Sequence, residues 1–248
     1  MRRLTFAMAR GVLALAAVLA LWQAVVWASD VPHFILPGPA RVAVSLWANA
    51  ALVWENARFT ALNLIAGLLA GIALGIATAL NLALSPVARL LLRPVLIFFQ
   101  AVPVFALAPI LTLWLGYGAA SKIVVVMLVV YFPVASAFFD GLMRLPAPLA
   151  DLAQIMRAGP VRRLFVLQVP HALPALVSGL RLAVVMAPFA VIIGEWVGSS
   201  RGLGYLMLMA NGRGQTDLMF AALIALAVQS LVLFAILESC AKWVAEGN

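Results

Sequence analysis

The sequence predicts an all-α, polytopic membrane protein of about six transmembrane helices, and three observations carry that reading. The 248 residues are 66% hydrophobic and only 10% charged, with a mean hydropathy of +1.14. Soluble domains hold about 25% charged residues, so this chain has too little polar side-chain surface to cover a globule of its size. The apolar residues fall into runs of roughly 20, the length a helix needs to cross about 30 Å of hydrocarbon. Lys and Arg gather between the runs, mostly on alternate turns, as the cytoplasmic loops of a membrane protein require. The formal charge of +8 is therefore explained without a nucleic-acid partner. The one cysteine, Cys240, lies in an apolar run and reads as a packing residue rather than a redox or metal group.

The first span runs near residues 8–29. Arg2 and Arg3 before an apolar run could open a signal peptide, but the run reaches Trp27 with no clear small-residue cleavage site, so a retained span is expected. Residues 30–58 are too interrupted to cross a bilayer. The second span, near 60–84, carries Gly67, Gly71 and Gly75 in four-residue steps, with Ala79 continuing the row. Such a stripe of small residues lets another helix approach closely, and helix packing is its expected role. The third span, near 94–116, is interrupted by Pro103 and Pro109, each of which removes a backbone donor and crowds the preceding turn. The helix is expected to kink or break there. A break in lipid must satisfy its freed carbonyls on protein or water, which suits a pathway lining; a kinked helix in a packed bundle is the plainer alternative. The remaining spans fall near 120–142, 174–197 and 217–244. Between the last two lies GEWVGSSRGLGYLMLMANGRGQTD, a glycine-rich loop expected to fold around a short interfacial helix.

Six spans put both termini on one side. With the N-terminus inside, the cytoplasmic set is Arg2, Arg3, Arg10, Arg89, Arg93, Arg144, Arg157, Arg162, Arg163, Arg181 and Lys242. The outer set is Arg41, Arg58, Lys122, Arg201 and Arg213. Eleven residues against five point to an N-in, C-in topology.

That topology places Leu145–Leu173 in the cytoplasm. The segment carries Asp151, Arg157, Arg162 and Arg163 between Pro146 and Pro148 on one side and Pro170 and Pro174 on the other. Leu152, Ile155, Met156 and Gly159 recur at helical spacing with polar groups between them. The expectation is a short amphipathic helix held outside the hydrocarbon by proline breaks, available as a handle for a soluble partner. An interfacial helix resting on headgroups, with its arginines on anionic lipid, is the other reading of the same residues.

These stretches together resemble the permease subunits of bacterial ABC importers. In that family the cytoplasmic coupling loop reads Glu-Ala-Ala, then a glycine, then a Leu-Pro or similar. Counting back from Val169-Pro170 places Asp151, Leu152 and Ala153 at the Glu-Ala-Ala positions and Arg157 at the glycine, with Gly159 two residues late. Further resemblance is carried by LPGPARVAVSLW (36–47), PVFALAPILTLWLGYGAASKI (103–123), YFPVASAFFDGL (131–142) and HALPALVSGLRLA (171–183). All of these are similar to the group serving nitrate, sulfonates, taurine and the pyrimidine precursor of thiamine. GEWVGSSRGLGYLMLMAN (194–211) with QTDLMFAAL most resembles permeases for hydroxymethylpyrimidine-type precursors. The resemblance implies a homodimer in the bacterial inner membrane, two cytoplasmic ATPase subunits that bind ATP and Mg, and a periplasmic or lipid-anchored binding protein. It also implies that Asp151, Leu152, Ala153, Ile155, Met156, Arg157, Gly159 and Pro170 couple ATPase motion to the spans. The substrate is expected to be a small solute, first a thiamine-precursor pyrimidine, then a sulfonate, taurine or nitrate.

Gln100, Pro103 and Phe105 at the broken third span, and Glu195 and Trp196 at the outer end of the fifth, are the candidate pathway residues. A carboxylate at mid-bilayer costs about 2.5–3.5 kcal/mol, but one near the interface is also explained by solvation or capping. Asp140 is expected to pair with Arg144 four residues on, and Asn63 and Gln229 to bond between helices. No enzyme is expected. Gly198–Gly202 formally fits a nucleophile elbow, but that motif needs a strand–turn–helix and a placed histidine, and His33 and His171 fall on opposite sides. No phosphate-binding loop and no His or Cys cluster is present, so neither ATP hydrolysis nor a metal is assigned to this chain. A stand-alone channel or secondary transporter is the rival of another class; it calls for charged or strongly polar mid-span residues, and the mid-span positions read as almost bare.

Overall fold

A computed structural model describes the backbone of residues 2–246, and the side chains of these except 2–9, 12, 93, 95–97, 99–101 and 243–246. Arg2, Arg3, Arg93 and Gln100, invoked above, have side chains outside the described residues. Every regular element among the described residues is a helix, with no strand. In order come α1 (Arg2–Ser29), α2 (Pro39–Ala48), α3 (Ala50–Leu84), α4 (Pro86–Ala101), α5 (Val104–Leu115) and α6 (Ala119–Met143). They are followed by α7 (Ala147–Ile155), α8 (Pro160–Arg163), a π-helical turn (Leu164–Gln168), α9 (Val169–Gly198), α10 (Leu203–Gly212) and α11 (Thr216–Glu246). Four of the described helical stretches are long and apolar enough to cross a membrane: Ala50–Leu84, Ala119–Met143, Pro160–Gly198 and Thr216–Lys242.

Helices α3, α6 and α9 form the core, with α6 between the other two. Small residues set the spacing. A Cβ added at Gly67 would lie 2.5 Å from Val126 Cβ, and one at Gly71 would lie 2.8 Å from Met127 O. The same addition at Gly75 would meet Val134 at 3.0 Å. The glycine row of α3 thus faces Val126, Val130 and Val134, a valine row of α6 with the same four-residue period, so ridge and groove interlock. Gly141 and Gly179 do the same between α6 and α9, where added Cβ atoms would sit 2.7 Å from Ala175 Cβ and 2.8 Å from Pro133 O. Val125, Val130, Ala183, Ala187 and Val191 fill the centre of the bundle. Val53, Ala57, Leu203, Leu206 and Ala222 close one end, and Leu82, Phe138, Leu142, Leu164 and Ala172 close the other.

The prolines act unevenly. Pro103 coincides with a break: it is extended (φ −63°, ψ 114°) and serves as the N-cap of α5, and its ring disfavours helical geometry at Val102, the residue before it. Pro109 lies inside α5 without breaking it. Pro170 and Pro174, expected to end the cytoplasmic helix, instead lie within a helical stretch continuous over Pro160–Gly198. The π turn just before Pro170 accounts for this, since a change of helical register already drops a backbone bond where a residue lacks its N–H. Helix α3 begins at Ala50 rather than near Thr60, because a helix runs on past the hydrocarbon when its polar residues find partners there. Asp140 and Arg144 form no ion pair, unlike the expectation. Arg144 is the C-cap of α6, with φ −95° and ψ 35°, so the i, i+4 helical geometry is lost at its second member. Gln229 does bridge helices, donating to Ala57 O at 2.7 Å, whereas Asn63 Nδ2 is buried without a partner.

Candidate functional site

The segment between α6 and α9 is built as two short helices around a tight corner. Pro146 caps α7 and Pro148 sits in its first turn, where a missing N–H is harmless. Ala153 faces inward at 3% exposure, while Ile155 and Met156 stand out at 80% and 65%. Leu152, Val161, Phe165 and Val166 are also exposed, so a row of apolar side chains projects beside the exposed charges of Asp151, Arg157 and Arg162.

The corner is a Schellman motif. Ala158 N–H donates to Ala153 O at 2.9 Å, and Arg157 N–H donates to Gln154 O at 2.9 Å. Arg157 occupies the left-handed position of that motif, with φ +46°. Glycine favours this position because it has no Cβ to meet the neighbouring carbonyl. The arginine therefore keeps the glycine geometry. Gly159 serves differently, as the extended N-cap of α8 with Pro160 following it. Beyond it, Leu164 is fully buried among Leu82, Phe138 and Leu142. It anchors the first residue of the π turn, which Val169 N–H closes onto Leu164 O.

The candidate pathway residues do not converge on one point. Pro103 and Phe105 are exposed at the α4–α5 break. The break opens on an apolar recess of about 380 Å³ that Val102 and Val104 share with Phe132, Pro133 and Met186. Trp196, half-exposed, lines a separate apolar cleft of about 550 Å³ between α9 and α11, with Phe189, Met207 and Phe234.

Glu195 faces the other way and is 1% exposed. Its Oε1 accepts from Thr60 Oγ1 at 2.8 Å and its Oε2 from Gly204 N–H at 2.7 Å. Thr60 Oγ1 also accepts from Leu203 N–H at 2.8 Å, and Asn56 Oδ1 from Gly202 N–H at 2.8 Å. Close by is Lys122, counted above among the outer surface charges but 0% exposed. Its ammonium donates to Tyr117 O at 3.0 Å, to Ser121 Oγ at 3.1 Å and to Gly198 O. The roles of Asn56, Thr60 and Lys122 were not legible from the sequence; the one available signal was a lysine at the head of an otherwise apolar helix. The formal elbow at Gly198–Gly202 joins two helices, with Ser199 extended between them.

A bundle of bilayer-length apolar helices with apolar recesses between them, and a basic segment carrying exposed apolar side chains, defines a membrane transport subunit. Comparison with known proteins agrees. The family model for binding-protein-dependent transport system inner membrane components matches residues 71–246. The chain is 46% identical over 217 residues to a probable ABC transporter permease protein of Haemophilus influenzae, covering 88% of this chain and 89% of that one. It is 38% identical over 219 residues to the riboflavin transport system permease protein RibX of Chloroflexus aurantiacus, covering 88% and 82%. It is also 36% identical over 149 residues to the formylaminopyrimidine transport permease protein ThiX of Halalkalibacterium halodurans, covering 58% of each. Among solved structures, a chain of the MetNI methionine ABC transporter shares the fold, with a TM-score of 0.62 at 20% identity over 80% of this chain and 97% of that one. The chain belongs to the binding-protein-dependent transport system inner membrane components. It is a multi-pass protein of the cytoplasmic membrane and a permease subunit of an ABC importer.

Proposed function

We propose that the chain forms, with a second copy of itself, the pathway of an importer for a small nitrogen heterocycle, in the first place a thiamine-precursor pyrimidine. Two ATPase subunits drive it from the cytoplasm and a periplasmic or lipid-anchored binding protein supplies it from outside. The observation that carries the coupling assignment is the Leu145–Leu173 corner. Its left-handed Arg157 and buried Leu164 fix the shape of the segment, while Leu152, Ile155, Met156 and Val161 are left facing outward for a partner groove. Asp151, Ala153, Gly159 and Pro170 belong to this unit as contact, packing, cap and joint.

Two observations favour a neutral heterocycle over a sulfonate, taurine or nitrate. Relatives whose names carry riboflavin and formylaminopyrimidine stand at 38% and 36% identity. The recess at the α4–α5 break and the cleft at Trp196 are both lined, among the described residues, by side chains without charge, whereas an anion would need a donor-rich lining.

The test is purification of the tagged chain from its native membrane in mild detergent, with partners identified by mass spectrometry. A co-purifying protein with a phosphate-binding loop is expected, together with ATP-dependent uptake of labelled hydroxymethylpyrimidine. Ile155→Pro is expected to release the ATPase while leaving membrane insertion intact. Retention of the ATPase and of full uptake by Ile155→Pro would return the segment to a headgroup-bound helix. Uptake of taurine in place of the pyrimidine would overturn the substrate.

A further inference from the structure

Helix α10 begins with backbone N–H groups that have no partner within the helix, and none of its own side chains caps them. Other helices supply the acceptors. Asn56 and Thr60 of α3 take Gly202 N–H and Leu203 N–H, and Glu195 of α9 takes Gly204 N–H. The fit is tight enough to exclude side chains: Gly202 has φ +114°, and a Cβ there would run into the Glu195 carboxylate. A Cβ at Gly204 would lie 3.0 Å from Glu195 Oε2.

The other end of the same connection is held by opposite charge. Lys122 donates to Gly198 O, the last carbonyl of α9, and to Tyr117 O in the α5–α6 turn. Each buried charge therefore sits on the helix pole of opposite sign, the carboxylate at the start of α10 and the ammonium at the end of α9. Swinging α10 outward would take Gly204 N–H from the buried Glu195 carboxylate and leave Gly202 N–H and Leu203 N–H without Asn56 and Thr60, which is costlier than breaking exposed bonds, while Lys122 keeps the α9 end of the connection in place. Only Ser199, Ser200 and Arg201 lie between the two pinned ends.

We propose that Glu195 and Lys122 are positioning residues that lock α10 to the α3–α6–α9 core. Helix α10 is then a fixed stop at the outer end of the α9–α11 cleft, into which its Met207 projects. Opening at that end comes from movement of the whole core and not from α10 acting as a lid. The inference rests on the transport reading for its purpose, but its geometry is tested separately.

The experiment labels single cysteines with a membrane-impermeant maleimide in native membranes holding the complete importer, in a Cys240→Ser background. Ala210→Cys reports on the buried face of α10, Ser200→Cys on the exposed connection, and Val130→Cys on the core. With the lock intact, position 210 is expected to stay protected both at rest and during ATP turnover. Adding Glu195→Ala is expected to raise labelling at 210 by about tenfold while position 130 stays protected, a local loosening that general loss of stability does not produce. Restoring the carboxylate with Glu195→Asp is expected to recover part of the protection. If Glu195→Ala does not accumulate in membranes, Thr60→Val removes the bridging hydroxyl and is expected to give the same local change at smaller amplitude. Labelling at 210 during turnover, at the rate of position 200 in the intact lock, would make α10 a lid and overturn the inference. Unchanged protection in Glu195→Ala, or in Thr60→Val where that variant replaces it, would also overturn it. Failure of the importer reading shows instead as absence of ATP-dependent uptake by the unmodified complex, whatever the labelling.

Discussion

Replacing Arg157 by glycine should stabilise the corner between α7 and α8. At φ +46° an L-residue bears a cost of about 1–2 kcal/mol relative to ordinary backbone geometry, and glycine removes it. Glycine also has more freedom in the opened state, which costs about 0.5–1 kcal/mol in return. The expected net gain is about 0.5–1 kcal/mol, or roughly two- to fivefold in the local opening equilibrium. Valine should move it the other way by about 1 kcal/mol, since a β-branched side chain tolerates positive φ worst. Alanine should leave it near the arginine value. The readout is hydrogen exchange at the Ala158 N–H, whose bond to Ala153 O at 2.9 Å closes the motif. In nanodiscs its exchange should slow in Arg157→Gly and quicken in Arg157→Val. Equal rates in the glycine, alanine and valine variants would show that residue 157 is not held in the left-handed region, and the account of the corner would fall with that.

Gly67→Ala should lower stability by about 1–3 kcal/mol, because its Cβ would meet Val126 Cβ at 2.5 Å and Ile123 O, a backbone atom, at 2.8 Å. Gly75→Ala, whose nearest contacts are 3.0 Å, should cost less; thermal unfolding in detergent gives the order, and equal midpoints would contradict the packing. Lys122→Met should destabilise far more than Arg41→Ala, which breaks an ion pair to Asp217 that is 53% exposed at the arginine and worth under about 1 kcal/mol. The same unfolding assay compares the two, and a larger loss from Arg41→Ala would remove the buried role given to Lys122. Deleting Val166 should convert the π turn to α-helix, leaving α7 and α8 near their present orientation but removing the wide turn that joins them to α9. Insertion should survive while ATP-driven uptake is lost, and retained uptake would show that the turn is no joint.

What could be read from the sequence was whatever depends on the period and length of apolar runs. The α3 glycine row, the interruption at Pro103 and the short helix after Gly202 each have a local signature: a four-residue repeat, a missing N–H, a cluster of glycines. The start of α3 was hidden because hydropathy marks hydrocarbon rather than helix. Asn56 and Arg58 read as loop, yet Asn56 is buried against a backbone N–H more than a hundred positions away. Pro170 and Pro174 misled for the opposite reason. Proline is a strong local signal, but a change of helical register beside it absorbs the defect, and nothing in a residue list announces a π turn. Lys122 and Glu195 misled together, since each alone near the end of an apolar run reads as a solvated charge. Their burial follows only when α5, α6, α9 and α10 meet.

The two ends of the bundle are held by different physics. The α3–α6 and α6–α9 interfaces are made of glycines and β-branched side chains whose fit leaves no room for sliding by less than a full helical step, so the three helices move as one body. At the end near α7, the outlying helices hang from that body through Leu164 and one π-helical turn, a narrow joint with exposed apolar side chains beyond it. At the end near α10, buried charges on helix poles fasten the outlying helix at both ends of its connection. A push delivered to α7 and α8 therefore has one compliant place to be absorbed, the π turn. If that turn is stiff on the timescale of ATP turnover, the whole of α3, α6, α9 and α10 must move with it as one body. Polar bonds at the outer end then carry the motion without taking part in it.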